Sequence, residues 1–469
     1  MCLPFVGQMV PDAASWPTVG RAMAARESCV ARREHVQCSR WLTRATAAEA
    51  PLRFLRTSGM ILAVVLVTAA VTIAGLTWWP KALPQHAMAT TDVLVWPEAS
   101  AERVTPRPPD PVERFTVVAV GDLMAHLPQV TAAKTASGYD FAPGFAPVAS
   151  RISAADLAIG NLETVMAGSA SGYTGYPGFN TPDAYAQAAV GAGFDVLTNA
   201  NNHILDRGAT GLVRTLDVLD GFGVLHTGAA RSAEEADRAV MADVRGVKVA
   251  ILAYTYGMNG ASAPSGKSWM VNVISETRMV ARVRQARAQG ADLVIVSIHN
   301  GTEYQRQPSA GQKKLEQAMI DAGADVVLGS HPHVIQPMET LAASAADGTP
   351  RTAFVIHSLG NFVSNQRQRY RDTGIILQLG FEKNLRTNVT TLLAVSYVPV
   401  WVDDTGPEGK GTRVLPIGDV LADAAYAGVT SAERAKAQQA WNDTTAHLGS
   451  LETTPADPAS VPFYVAAVQ

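Results

Sequence analysis

Short apolar runs recur through the middle of the chain: FTVVAV (115–120), DLAIG (156–160), FDVLT (194–198), VKVAILAY (247–254), ADLVIVSI (291–298), ADVVLG (324–329) and TAFVIHSLG (352–360). Each reads as a buried strand. Between several of them lie stretches with helical character, TPDAYAQAAVGAG, SETRMVARVRQARAQG and SAGQKKLEQAMIDAG. The junctions AGFDV, QGADL and AGADV predict a helix closed by Gly and followed at once by a strand. Strand and helix alternating in this way predict a layered α/β fold built on a parallel sheet. After Gly374 the pattern changes, and IILQLGFE with TTLLAVSYVPVWV predicts an antiparallel hairpin. From about residue 415 the chain reads as helix, a tail packed on the domain.

The first hundred residues differ in kind. Met60–Trp79, MILAVVLVTAAVTIAGLTWW, holds no charged residue and is long enough to span a bilayer as a helix. Arg21, Arg26, Arg32, Arg33, Arg40, Arg44, Arg53 and Arg56 precede it, against only Asp12, Glu27, Glu34 and Glu49. That excess predicts a cytoplasmic N-terminus, with Trp78 and Trp79 at the outer interface. A cleaved signal peptide is the alternative, but the run is long for one and no A-x-A-like site follows closely in PKALPQHAMATT. The expected organisation is therefore an aperiodic, disordered cytoplasmic segment (1–57), a single transmembrane helix (58–80), a Pro-rich extracytoplasmic spacer (81–113), the α/β domain (114–404) and a helical tail (405–469).

Composition narrows the chemistry. A net charge of -3 with 17% charged residues gives no reason to expect nucleic acid as a partner. All three cysteines, Cys2, Cys29 and Cys38, precede the apolar segment. The domain beyond it has neither disulfides nor thiolates, so any chemistry there uses oxygen and nitrogen ligands.

What the strands run into is the informative feature. VVAV leads to Gly121, Asp122, Leu123, Met124 and His126; LAIG leads to Asn161 and Glu163; VLTNA leads to Asn201, Asn202 and His203. VIVSI ends at His299, ahead of Asn300 and Glu303; VVLGS leads to His331 and His333; VIHSLG leads to Asn361. Carboxyl ends of parallel strands share one edge, where ligands bind. Taken singly, GDLM or GNLE is equally a strand running into a capped turn, and His226 and His357 read as ordinary structural histidines. Six successive strand ends carrying carboxylates, amides and imidazoles favour the joint reading, a ligand set without sulfur. It suits divalent Mn, Zn, Fe or Mg, and its size fits two ions bridged by a carboxylate, a pair able to activate water for displacement at phosphorus.

In this order, VAVGDLM, GNLETV, NANNHILDRG, HNGTEY, GSHPHVIQP and HSLGNFV resemble the CapA family of capsule (poly-γ-glutamate) synthesis proteins, which is related to the calcineurin-like metallophosphoesterases. The resemblance spans roughly Phe115 to Ile376 and implies a metallophosphoesterase-like α/β/α sandwich. It implies metal ligands at Asp122, Asn202, His299, His331 and His333, with Glu163 in the place of the bridging carboxylate. Met124 stands where ordinary metallophosphoesterases carry the second ligand of Asp-x-His, which makes His126 a further candidate; Glu303 and Asn361 are others. His203 becomes a candidate acid directed at the leaving group. Asp206, one turn on, either orients that ring or caps the helix beginning near Gly208.

Three functions follow as expectations. One is a membrane-anchored protein of capsule or exopolymer assembly with a dinuclear hydrolase core, acting with membrane partners on an anionic polymer or a phosphoester. The second is a non-catalytic polyanion-binding or export component. The third is an extracytoplasmic phosphoesterase.

Overall fold

The computed structural model describes residues 109–345, 348–404 and 412–449. The expected transmembrane helix, its cytoplasmic flank and most of the Pro-rich spacer lie outside the described residues, among which no helix is long and apolar enough to cross a membrane. The alternation of apolar runs resolves into two sheets. The first begins with four parallel strands, β1 (Val112–Leu123), β2 (Leu157–Leu162), β3 (Val196–Thr198) and β4 (Leu225–Thr227). The second holds β5 (Val240–Val244), β6 (Val247–Thr255), β7 (Leu293–His299), β8 (Val326–Ser330), β9 (Ile335–Ser344) and β10 (Pro350–Leu359), in the order β5-β6-β7-β8-β10-β9. The chain then returns to the first sheet with β11 (Asn361–Val363), β12 (Thr373–Asn384), β13 (Val389–Asp403) and β14 (Arg413–Pro416), giving the order β14-β13-β12-β1-β2-β3-β4 with β11 beside β1.

The α/β expectation holds, but its middle layer is double. Phe115, Val117, Ala119, Leu157 and Ile159 of the first sheet pack against Val249, Ile251, Leu293, Ile295 and Val326 of the second, forming one core between the sheets. Helices Ala142–Ser153 and Ala184–Gly191 cover the outer face of the first, and Glu276–Ala288 with Ala310–Ala322 cover that of the second. The layering is thus α/β/β/α where a single sheet between helices was expected. Strands buried on both faces are apolar throughout, so their sequence carries no sign of which sheet they join.

The hairpin predicted after Gly374 is β12–β13, antiparallel over its whole length. The C-terminal segment is not separate, because β14 extends the first sheet and helix Ser431–Leu448 packs on Trp401 and Leu415.

The repeated junctions do more than stop helices. Gly323 takes the left-handed conformation at the end of its helix, which favours glycine. The Asp that follows each junction opens a strand and ties it to the next: Asp195 accepts from the Ala158 amide at 2.8 Å, Asp292 from Lys248 at 2.8 Å and Asp325 from Val294 at 2.7 Å. Asp156 does the same for Thr116 at 2.8 Å. These carboxylates satisfy strand amides at the edge opposite the ligand-bearing ends.

Where the chain crosses from β10 to β11, the two sheets nearly touch. The Asp122 amide donates to the Gly360 carbonyl at 3.1 Å, and a Cβ on Gly121 would stand 1.9 Å from that oxygen. Gly121→Ala must therefore push the sheets apart at this seam. It should cost about 3 kcal/mol in urea denaturation, whereas Gly138→Ala, with open space around it, should stay within about 0.5 kcal/mol of the parent.

Candidate metal centre

The six strand ends anticipated from the sequence do meet, those of β1, β2 and β3 in the first sheet with those of β7, β8 and β10 in the second. Asp122 lies at the end of β1, Glu163 just beyond β2, and Asn202 with His203 in the turn after β3. His299 closes β7, His331 and His333 follow β8, and Asn361 opens β11. Asp122, Glu163 and Asn361 are fully buried, and His299, Asn202, His203, His331 and His333 are exposed by no more than 4%. His331 and His333 both hold left-handed backbone, with φ of 98° and 58°. So do Tyr304, Asn259 and Tyr370 around the rim. Non-glycine residues adopt it rarely, and such positions concentrate at functional sites.

Two groups of ligand atoms form here. Asp122, Glu163 and His333 present atoms within 4.8 Å of one another, and so do Glu303, His331 and His333. His333 is common to both, in the place the sequence reading gave to Glu163. Glu303, a candidate on the same basis as His126, is an exposed residue that completes the outer group.

His299 stands 3.5 Å from Glu163 and 4.0 Å from Asp122, yet belongs to neither group. Its Nε2 lies 2.9 Å from the Asn202 amide oxygen, so these two expected ligands face each other. Its Nδ1 meets the Ser330 hydroxyl at 3.0 Å.

The donor set asks for a cation. Both oxygens of Glu163 are buried with no hydrogen-bond partner, and so is Nδ1 of His331. A fully buried carboxylate without donors is among the costliest arrangements a protein can hold. A divalent ion coordinated by carboxylate and imidazole removes that cost.

Amides brace the ligands. Asn161, unremarked as a functional residue in the sequence, donates to Asp122 Oδ1 at 2.8 Å and reaches His299 Nδ1 at 3.2 Å. Asn201 braces it in turn and donates to the Leu162 carbonyl at 2.8 Å. Asn361 is such a brace rather than a member of either group: its Oδ1 lies 3.0 Å from His333 Nδ1, the nitrogen that also meets Asp122 at 3.1 Å. Second-layer contacts of this kind fix ring orientation in metal sites. The GNLE and HSLGN strand ends carried the signal for both.

His126 does not reach back as a ligand. Its Nδ1 accepts the Asn365 amide at 3.2 Å, which leaves the hydrogen of the neutral ring on Nε2 and no lone pair there for an ion. Burial and the nearby His333 hold it neutral, down at about 4.

Asp206 resolves in favour of orientation. Its Oδ2 sits 2.7 Å from His203 Nδ1 and accepts the Phe179 amide at 2.7 Å. Helix Gly208–Gly221 starts after Arg207 with no side-chain cap. His203 thereby has Nδ1 occupied and its other nitrogen free. Burial alone would lower its pKa, but Asp206 and Glu163 together raise it. His357, held between Glu316 and Glu339, and His226, paired with Asp220, are structural as expected.

Electrostatics at the centre are strained in one direction. Burial and the neighbouring Asp122 push Glu163 up to about 8. His333 is buried too, which alone would lower it, yet Glu163 and Asp122 carry it up to about 9. Without cations, Glu163 and His333 together thus hold more protons in the folded protein than in the unfolded chain between pH 6.5 and 8. Stability must fall as pH rises through that window. His299 and His331, held at about 3 chiefly by burial, act at lower pH and in the opposite sense. Urea midpoints in a chelator should fall from pH 6.5 to pH 8, and the slope should be shallower in Glu163→Gln. Equal slopes in the two proteins would contradict this account of the centre.

Among curated proteins, the chain is 32% identical over 221 residues to the capsule biosynthesis protein CapA of Bacillus anthracis, covering 46% of this chain and 50% of that one. It is 33% identical over 193 residues to the PGA biosynthesis protein CapA of Bacillus subtilis, covering 41% and 48%. The chain therefore spans about half the length of these relatives. Among solved structures, the calcineurin-like phosphoesterase YfkN of Bacillus subtilis overlaps 71% of this chain and 98% of its own, at 15% identity and a TM-score of 0.38. The model of the bacterial capsule synthesis protein PGA_cap family matches residues 116–366, which hold every strand end of the centre, and the chain belongs to that family.

Proposed function

We propose that this chain is a membrane-anchored, extracytoplasmic component of capsule or exopolymer assembly, of the poly-γ-glutamate type, whose buried centre is a metal-dependent hydrolase. The observation that carries the hydrolase reading is Glu163, fully buried with both oxygens unpartnered beside Asp122 and His333. Asp122, Glu163 and His333 would hold one divalent ion, and His333 with His331 and Glu303 a second. Ions held there would lower the pKa of a water and stabilise negative charge on the group it attacks.

The chain's own residues supply the rest. Asp206 fixes the His203 ring and stabilises its protonated form, so His203 donates a proton to the departing oxygen or nitrogen through its free nitrogen. Phe179, buried and edge-on to His203 with ring centroids 4.7 Å apart, walls that side against water. A non-catalytic polyanion-binding role is the alternative, favoured by Arg371, whose guanidinium lies over the Tyr304 ring beside the centre.

Three measurements test the reading. Metal content of the purified protein, reconstituted with Mn or Zn, should follow the geometry: Glu163→Gln and His331→Ala each lose part of it, and His333→Ala, common to both groups, loses most. Equal content in all three variants would remove the two-group assignment. With phosphoester and γ-glutamyl substrates, His203→Ala should cut turnover by about a hundredfold or more while metal content stays at the parent level. Wild-type protein loaded with metal but inert on the whole panel would favour the binding role. The topology rests on the arginine excess before Met60: protease added to spheroplasts should digest the domain, and its full protection would reverse the orientation.

A further inference from the structure

Four arginines gather where the loop after β7 and the loop after β11 approach the C-terminal helix. Three have acceptors. Arg367 donates to the Val402 carbonyl at 2.8 Å and pairs with Asp404 at 3.2 Å. Arg369 is held by Asp443 at 2.6 Å, and Arg306 donates to the Asp443 carbonyl at 3.1 Å. Arg371 is different. Among the described residues its guanidinium has no hydrogen bond and no ion pair; it lies 3.3 Å from the centre of the Tyr304 ring.

Arg371 is nonetheless locked to the metal centre from two sides. Its backbone carbonyl accepts from Asn361 Nδ2 at 2.7 Å, and the same amide's oxygen contacts His333. Its stacking partner Tyr304 donates its backbone amide to the Pro332 carbonyl at 2.8 Å, between His331 and His333, and its ring lies 6.2 Å from that of His333. A guanidinium on an aromatic face keeps its N–H edges free and loses little freedom on binding. Those edges match a carboxylate or phosphate, which they bind as a fork. Glu303, the carboxylate next to Tyr304, presents an oxygen toward His331 and His333 and makes no ion pair with Arg371 among the described residues.

We propose that Arg371, on its Tyr304 platform, anchors an anionic group of the substrate beside the bond to be cleaved. This rests on the hydrolase reading above and adds the substrate class: a molecule carrying a carboxylate or phosphate a short way from its reacting bond. A γ-linked glutamate chain offers a free carboxylate at every residue, and a phosphoester can offer a second phosphate.

Binding tests this apart from turnover. Calorimetry on the metal-loaded full chain would use two probes, a γ-linked glutamate oligomer and inorganic phosphate. Arg371→Gln should weaken at least one probe about tenfold, the loss of one charge-assisted contact, with metal content unchanged. Arg371→Lys should recover part of it. Arg369→Gln, whose cation is already paired with Asp443, should bind as the parent does. Loss confined to the oligomer identifies the polymer carboxylate, and loss confined to phosphate identifies the phosphoester. Parent-like affinity in Arg371→Gln, equal loss in Arg369→Gln, or no binding of either probe by the wild type overturns the anchor. Failure of the hydrolase reading shows separately, in the turnover of wild type against His203→Ala.

Discussion

Two carboxylates, Asp122 and Glu163, are buried completely and side by side in the seam between two sheets. Like charges a few ångströms apart repel by on the order of 4 kcal/mol even at an effective dielectric of about 20, before desolvation is counted. Such a pair persists only if a proton or a cation neutralises it. In the absence of a cation, protons held by Glu163 and His333 offset the pair. Ions bound there would take the same atoms as ligands. The histidines and bracing amides around the pair make sense as the means of holding this one unfavourable juxtaposition in place.

That juxtaposition explains why the fold needs two sheets. Asp122 and Glu163 come from the first sheet, whereas His299, His331 and His333 come from the second. A single sheet would spread these ends along one line. Two sheets packed face to face close them around a common point. The close approach at Gly121 and Gly360 sets the separation there, and the aspartates at the opposite edge hold the strands in register. Rigidity at one edge permits precise placement at the other.

Much of this was legible in the sequence. The apolar runs and their helical partners marked most strands, and the residues just past them marked the site, because catalytic side chains must leave the sheet where backbone pairing ends. Asp122, Glu163, His331, His333 and Glu303 could be read that way. Three things could not. The split into two sheets was hidden because strands of both are uniformly apolar. The role of Asp206 stayed open because a carboxylate three residues after a histidine can cap or orient equally well, and only the position of the Phe179 amide decides between them. His126 was ambiguous because ligand and donor differ in which ring nitrogen is taken, and the Asn365 amide that takes Nδ1 lies 239 positions away.

The centre divides by depth into two kinds of chemistry. Its floor is made of groups that burial has stripped of ordinary behaviour, a carboxyl that keeps its proton and imidazoles that refuse theirs. Such groups bind ions well, because an ion replaces the missing solvation, but they exchange protons poorly near neutral pH. On the proposed hydrolase reading, proton transfer therefore falls to a residue at the edge of the floor. His203 fits, since Asp206 offsets its burial and keeps the protonated ring accessible. The rim carries Glu303, Tyr304 and Arg371, exposed or half-buried residues on left-handed or loop backbone. On the proposed reading, recognition belongs there, where a long substrate can lie across the opening without entering it. If the floor holds ions, the edge passes protons and the rim takes anions, as proposed, the arrangement suits a polymer better than a small compact substrate, which would leave the rim unused.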